Sequence, residues 1–412
     1  MKKMSEFKIE GKAKLILGAQ HVLAMFGSTV LVPFLTGLNP SIALITAGLG
    51  TLLFHFLTKG KVPAFLGSSF AFIGAIQLVL KNQGIGAVKG GIIVAGIVYV
   101  ILAWLVKTYG AAKVTSFLPP VVTGPIIMVI GLRLSPVAIN MAMYKDGAFN
   151  LKYLLIAVVV IATMILVSSI GHSFFRLVPI LVSVFVGYLV SALAGMVDFS
   201  VISQAKWFGL STEAMHDLLT IPKFSAGAVL AIAPIAIVTF IEHIGDITTI
   251  GAVVGKDFFV DPGVHRTLLG DGLATSLAGL LGGPSNTTYG ENTGVLAVTK
   301  IYDPGVLRIA AIYAIVLGLL GKFGVILQTI PTPVMGGISV ILFGMIAAIG
   351  VRMVVDARLD FSNSRNLLIA ALILVSGIAI NEIAVWRNIS LSGLTIAAIL
   401  GIILNKILPQ DK

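Results

Sequence analysis

Glu242 and Glu291 stand inside long apolar stretches, the first in Ile-Ala-Ile-Val-Thr-Phe-Ile-Glu-His-Ile-Gly-Asp and the second in Asn-Thr-Thr-Tyr-Gly-Glu-Asn-Thr-Gly. An ionisable group at bilayer depth is costly, so it normally faces a partner or a wet cavity. Two such carboxylates point to a polar site near mid-membrane and to transport. Glu242 is followed one helical turn later by Asp246, and this spacing puts both on one helix face while His243 points about 100° away. Two close carboxylates in low dielectric seldom ionise together, so one is expected to hold a proton near neutrality. A proton-coupled carrier needs that property. Asp246 has a plainer alternative, as a solvated group near the end of its span. His21, beside Gln20, reads first as a packed hydrogen-bonding residue; its other reading is orientation of Glu242 or Glu291 and a share in proton coupling. Glu-His-x-x-Asp resembles a metal site only weakly, because a zinc enzyme wants about three converging ligands and an open position. With six histidines and no cysteine in the chain, no metal and no bound cofactor is expected beyond the proton as coupling ion.

These residues need a membrane scaffold, and composition supplies one. The chain is 57% hydrophobic and 11% charged, against roughly 25% charged for an ordinary soluble domain. A mean hydropathy of +1.05 over 412 residues leaves too little polar sequence to coat a soluble core. A helix needs about 20 residues to cross about 30 Å of hydrocarbon. Segments of that kind fall near 15–36, 41–58, 88–107, 121–140, 152–170, 177–197, 227–250, 267–283, 307–329, 333–351, 366–381 and 390–408. Two more, near 62–80 and 284–301, are hydrophobic but interrupted by Pro, Gly, Ser, Thr and Asn. Counted as discontinuous spans, they bring the expectation to fourteen. The basic N-terminal residues run straight into a full-length apolar segment without a small-residue cleavage site, which reads as a retained first span.

A net charge of +11 raises the question of nucleic acid, but the lysines and arginines are scattered over short loops. That pattern fits membrane orientation better than a basic patch, and no nucleic-acid partner is expected. With fourteen crossings and both termini cytoplasmic, 19 of the 28 basic residues fall inside and 9 outside. Dropping either interrupted segment would invert every later loop and spoil that bias. The longest loop, roughly 198–225, is then external; Trp207, Phe208 and Met215 suit it to lie along the lipid interface. His55, His172 and His265 sit near span ends, where an interfacial position is expected.

The chain also repeats itself. Gln20-His21 matches Glu242-His243, and Gly67-Ser68-Ser69-Phe70 matches Tyr289-Gly290-Glu291-Asn292, with 49 positions from Gln20 to Ser69 and from Glu242 to Glu291. Pro120-Val121-Val122-Thr123-Gly124 pairs later with Pro333-Val334-Met335-Gly336-Gly337. Seven spans per half is odd, so the second half enters from the opposite side. The expected fold is an all-α polytopic membrane protein of two inverted seven-span repeats. In each interrupted span, Pro63 to Phe70 and Pro284 to Gly290, residues that favour extended backbone precede a helix-compatible run. A short strand entering a half-helix is expected in spans 3 and 10, the strands meeting near the midplane; a kinked helix with packing glycines is the alternative. Bare backbone at that depth must be paired or line a cavity, and half-helix N-termini present free N–H groups to a ligand.

The run Glu291-Asn292-Thr293-Gly294-Val295-Leu296-Ala297-Val298-Thr299-Lys300 resembles the signature of the nucleobase–ascorbate transporter family, as Gln20-His21 resembles that family's first-span pair. The likeness continues through Lys61 to Phe72, Asp261 to Arg266, Asn286 to Asn292 and Pro331 to Gly337, essentially end to end, and is strongest to its uracil-carrying bacterial members. The resemblance implies a core domain (spans 1–4 and 8–11; residues 1–118 and 226–330) and a gate domain (spans 5–7 and 12–14; residues 119–200 and 331–412). The external loop, 201–225, lies between them. It implies proton-driven uptake of uracil across the cytoplasmic membrane, with lipid as surroundings and a homodimer as the assembly. Carried onto matching positions, Glu242 and Glu291 would bond the pyrimidine N–H groups. Backbone at Phe70 and Gly290, beside Ser69, would meet its carbonyls, Tyr289 and Phe70 would pack on the ring, and Ser28 would stand against the ligand. Asp246 replaces a His found in some relatives, and Phe343 a Tyr near the substrate, so a xanthine or urate preference stays open.

Overall fold

The computed structural model describes residues 11–116, 118–170, 175–386 and 389–409. His172 therefore lies outside the described residues. Among them, helices of ten or more residues are α1 (Gly11–Thr36), α2 (Pro40–Leu57), α3 (Ile73–Gln83), α4 (Ile85–Tyr109), α5 (Pro120–Met143), α6 (Leu151–Ile170) and α7 (Pro179–Leu193). There follow α8 (Ile235–Val254), α9 (Val264–Leu281), α10 (Gly290–Thr299), α11 (Pro304–Leu319), α12 (Thr332–Asp356), α13 (Ser364–Ala379) and α14 (Gly393–Ile407). Six short strands, β1 (Leu66–Ser68), β2 (Tyr144–Lys145), β3 (Ala148–Phe149), β4 (Asn286–Thr288), β5 (Glu382–Trp386) and β6 (Ile389–Ser392), pair as β1–β4, β2–β3 and β5–β6.

Local chemistry sets several helix starts. Asn39 caps α2 by accepting from the N–H groups of Ser41 and Ile42, with Pro40 in the first turn. Asp303 caps α11 ahead of Pro304 in the same manner. Gly255 and Gly282 close α8 and α9 in the left-handed region that only glycine enters freely. Burial would raise the Asp303 carboxyl, but the hydrogen bond from Lys14 and the Gly305 N–H hold it below the usual carboxylate range. The Lys14–Asp303 pair, at 2.6 Å, ties the start of α1 to the chain just beyond α10.

Among the described residues seven helices are long and apolar enough to cross a membrane: α1, α2, α4, α5, α6, the 29-residue run Ala226–Val254 that contains α8, and α12. Four expected segments take other forms. Residues 307–329 are broken by an 80° bend between α11 and the helix Gly321–Gln328. The 390–408 segment opens in β6 before α14, and α7, α13 and α14 are shorter apolar helices. His55 also differs from its expected interfacial place. It is buried, with Nε2 2.9 Å from the Ala64 carbonyl oxygen, because the chain folds back after α2 and leaves that carbonyl in need of a donor. His265 is partly exposed at the start of α9.

The two interrupted segments do form strand and half-helix. Leu66 opposes Thr288, Gly67 opposes Thr287 and Ser68 opposes Asn286 in an antiparallel ladder. It is extended by Ser69 N–H to the Ser285 carbonyl at 2.9 Å and Tyr289 N–H to the Phe65 carbonyl at 3.0 Å. The outer edges find hydroxyls: Thr51 of α2 accepts from Leu66 N–H at 2.9 Å, and Thr275 of α9 donates to the Asn286 carbonyl at 2.8 Å. Every residue of both strands is buried, so these bonds replace water that cannot reach them. Gly67 is required here, because a Cβ would overlap the Tyr289 ring.

Around this ladder α2 packs on α9 and α11, α4 on α9, α5 on α12 and α13, α6 on α7 and α12, and α13 on α14. The segment between α7 and Ala226 carries two short helices, Phe199–Gln204 and Thr212–Leu219. It is docked onto the helix ends rather than free: Lys322 Nζ sits 4.5 Å from the Trp207 ring centre, and buried Lys89 donates to the Asp217 and Leu218 carbonyls at 2.8 and 3.0 Å. Trp207, Phe208 and Met215 keep exposed apolar surface. The α4–α9 contact is close enough that a Cβ at Gly96 would overlap Ser276 Oγ and the Gly272 carbonyl oxygen. Overpacking of this kind costs about 1–3 kcal/mol or more. Gly96→Leu is therefore expected to lower the midpoint of thermal unfolding in detergent, and an unchanged midpoint would contradict the close approach.

Candidate functional site

Three elements meet where the ladder ends. α8 brings Glu242 and Asp246 on one face, α10 brings Glu291 in its first turn, and α1 packs against α10. Glu242 and Glu291 lie within each other's electrostatic field, and Asp246 feels both. The acidic groups of the two halves therefore share one neighbourhood. Among the described residues no lysine or arginine forms a hydrogen bond or ion pair with any of the three.

Each carboxylate is held differently. Glu291 Oε1 accepts from the Ser28 hydroxyl of α1 at 2.6 Å, and Ser28 is wholly buried. The hydroxyl expected to stand against a ligand is thus turned onto the carboxylate. Asp246 Oδ2 accepts from Thr288 Oγ1 of β4 at 2.9 Å, which places Asp246 at the ladder and not in open solvent. Glu242, on the same helix face as Asp246, is half-buried. A Cβ placed on Gly290 would meet nothing nearer than Asp246 Oδ1 at 4.0 Å, and at Gly245 and Gly294 it would meet nothing within 4 Å. Open space thus borders the first turns of α10 and the middle of α8.

His21 lies on the next turns of α1. Asn292 Nδ2 is 3.0 Å from the His21 carbonyl oxygen and 3.1 Å from His21 Nδ1. Only the amide NH2 can face a carbonyl, so the network assigns Nδ1 as an acceptor and the ring proton to Nε2. A second proton at Nδ1 would set N–H against N–H. This geometry suits an orienting role for His21.

The half-helix ends are bare of side-chain caps. Tyr289 precedes α10 without a capping bond, and Ser69 precedes the one-turn 3-10 helix Phe70–Phe72 likewise. Ser69 Oγ is buried without a protein partner. Two sets of N–H groups and their positive helix ends are left for an acceptor. The aromatic groups divide. Phe70 is half-buried and meets buried Phe343 edge-on, ring centres 6.4 Å apart at 82°. Tyr289 is buried beneath the ladder, its hydroxyl donating to the Ser68 carbonyl at 2.8 Å. Tyr289 and Phe343 thus back the site rather than line its open part.

Residues outside the sequence-based set complete it. Thr288 and Asn292 hold Asp246 and His21, and both lie in the quoted runs beside the expected ligands. His243, the residue after Glu242, forms a wholly buried pair with Asp271 at 2.8 Å. Asp271 is a carboxylate in an apolar segment, so the rule that singled out Glu242 applies to it equally.

Chemically, two carboxylates supply acceptors, two uncapped half-helices supply donors, and Phe70 supplies a flat apolar wall. The profile of the Permease family (Xan_ur_permease) matches residues 12–385. The chain is 46% identical over 394 residues to a uracil permease of Bacillus caldolyticus, covering 95% of this chain and 91% of that protein. It is 44% identical over 399 residues to a uracil permease of Bacillus subtilis, covering 95% and 92%. Against a uracil permease of Escherichia coli K12 the identity is 40% over 389 residues, covering 94% and 89%. Among solved structures, the transmembrane domain of a cyanobacterium bicarbonate transporter, BicA, superposes with a TM-score of 0.63 at 15% identity, covering 97% and 98% of the two chains. The murine Slc26a9 anion transporter in its inward-facing state gives 0.72 at 11%, covering 98% and 69%. Those identities carry the fold alone. The profile match and the full-length relatives carry more: this multi-pass chain belongs to the Permease family and is a transporter, not an enzyme.

Proposed function

We propose that this permease is a secondary active importer of uracil, coupled to protons, with substrate held between the half-helices of spans 3 and 10 and Glu242 of span 8. The observation that carries the reading is the convergence of Glu242 and Glu291 beside two uncapped half-helix N-termini, with no basic residue paired to the carboxylates. Uracil has two N–H donors and two carbonyl acceptors on a flat neutral ring, which matches that set. The full-length likeness to uracil permeases supports the same substrate. Glu291, its Oε1 occupied by Ser28, offers its second oxygen to a ring N–H, while Glu242 and Asp246 share the coupling proton. The N–H groups around Phe70 and Gly290, with Ser69 Oγ, take the carbonyls, and His21 orients α10 through Asn292.

The scaffold reading is fourteen spans in two inverted repeats, α1–α7 and α8–α14, moving as a core domain (spans 1–4 and 8–11) against a gate domain (spans 5–7 and 12–14). Its support is the exchange symmetry of the packing. α4 on α9 mirrors α11 on α2, α6 on α7 mirrors α13 on α14, and α12 on α6 mirrors α5 on α13. The Lys14–Asp303 and Lys61–Asp261 pairs tie the start of α1 to the chain after α10, and the chain after α2 to the chain after α8. Those points then share one side, the cytoplasmic side by the positive-inside bias, with both termini there in the cytoplasmic membrane. We take the assembly to be a homodimer in lipid. A xanthine or urate preference is the second reading, favoured by Asp246 and Phe343 standing where some uracil carriers have His and Tyr.

Uptake of labelled uracil into proteoliposomes should collapse when a protonophore dissipates the gradient; undiminished accumulation would remove proton coupling. Unlabelled xanthine should compete poorly, and equal competition would favour the second reading. Glu242→Gln should reduce uptake to background, and near-normal uptake would take Glu242 out of the mechanism. Glu291→Gln removes a charge-assisted bond of about 1.5–3 kcal/mol, so uracil affinity should fall about 10- to 150-fold. Ser28→Ala removes one neutral donor and should weaken binding only about 2- to 10-fold; a loss as large as that of Glu291→Gln would give Ser28 a direct ligand contact instead.

A further inference from the structure

His243 Nδ1 is 2.8 Å from Asp271 Oδ2, and His243 Nε2 is 2.8 Å from Thr267 Oγ1. Both His243 and Asp271 are 0% exposed. The Thr267 hydroxyl also lies 2.9 Å from the Val264 carbonyl oxygen, a group that only accepts. A hydroxyl has one proton. While it is given to Val264, Nε2 of His243 must be the donor to Oγ1. Nδ1 meanwhile faces a carboxylate oxygen, so a proton lies on that line too, on the ring or on Asp271. The only other arrangement turns the hydroxyl to Nε2, abandons Val264 and leaves a neutral ring beside a bare carboxylate.

The surroundings select between them. Asp271 Oδ1 is buried with no hydrogen-bond partner, and among the described residues Asp271 pairs with no lysine or arginine. The titratable groups around it are Tyr99 from α4 and Glu242 and Asp246 from α8, none of which supplies positive charge. A lone negative charge there would be uncompensated and repelled by the site carboxylates. A proton held within the pair removes that charge.

We infer that His243, Asp271 and Thr267 form a net-neutral clamp, with protons on both hydrogen-bond lines of the imidazole, that fixes the rotation of α8 on α9 and so aims the adjacent Glu242 at the substrate space. His243 and Thr267 are positioning residues, acting through Glu242. The protonation half stands on the hydrogen bonds and the uncompensated surroundings of Asp271; the positioning half rests on the proposed uracil site.

The test uses the full-length protein in lipid nanodiscs with 15N-labelled histidine. The His243 signal is assigned by its loss in His243→Gln or its displacement in Thr267→Val. The expected spectrum at neutral pH has Nε2 protonated, as the hydrogen bond to Thr267 requires. A bare Nε2 with only Nδ1 protonated overturns the clamp. For positioning, Thr267→Val should weaken uracil binding about tenfold, and Thr267→Ser, which keeps the acceptor, should restore it. Unchanged affinity in Thr267→Val overturns that half. Should the unmodified protein bind no uracil, the substrate reading fails, while the histidine spectrum still decides the clamp.

Discussion

Two half-helices begin in the interior of this protein, and the backbone leading into each has no water to bond. Satisfying that backbone is the constraint from which the rest follows. Three residues of β1 pair with three of β4, two further bonds extend the ladder, and threonines of α2 and α9 close its edges. An unpaired peptide group at such depth costs several kcal/mol, so neither interrupted segment is stable alone. The two halves of the chain must come together for either to exist. Once they do, the first turns of both half-helices are fixed at the two ends of one ladder, and the candidate site is a consequence of the pairing.

α1 converts that scaffold into a specific geometry. Ser28 holds Glu291 and His21 holds Asn292, so consecutive side chains of α10 are each fixed by the same neighbouring helix. Thr288 does comparable service for Asp246 from the strand. Glu242 alone among the three acidic groups shows no such restraint among the described hydrogen bonds, its orientation being set through the next residue on its helix. On the proposed reading, that difference suits Glu291, held by Ser28, to a fixed acceptor role and Glu242 to exchange of the coupling proton. Fixed groups contribute a defined acceptor direction; a free group can change protonation without breaking the fold.

Much of this was legible in the sequence, for identifiable reasons. The interrupted spans announced themselves through Pro, Gly, Ser and Thr in otherwise apolar runs, and through the repeated 49-residue offset. The carboxylates of the site stood out because charge is scarce. What was not legible depends on contacts remote in sequence. The bend after Leu319 falls in a continuous apolar run and is supported by Gly321 and Leu319 bonding to Trp207 and Gly209 of a distant loop. His55 is buried because a chain reversal presents the Ala64 carbonyl to it. Asp271 escaped notice in a segment where glycine, threonine and serine dilute the apolar pattern, and its partner is 28 residues away. The direction of the Ser28 hydroxyl could not be read at all, since residue type fixes a donor but not its acceptor.

The same fold carries anions in the solved structures it resembles, and the contrast is instructive about charge. A half-helix N-terminus favours negative charge by its dipole, so two facing N-termini on their own suit an anion. Placing Glu291 in the first turn of α10, with Glu242 within its electrostatic reach, supplies negative charge from the protein itself. An anionic ligand would then meet repulsion where a neutral one meets acceptors. A neutral heterocycle with N–H groups satisfies both components at once, its carbonyls taking the helix donors and its N–H groups the carboxylates. On the proposed reading the architecture sets where a ligand sits, and the side chains of α1, α8 and α10 set what charge it bears.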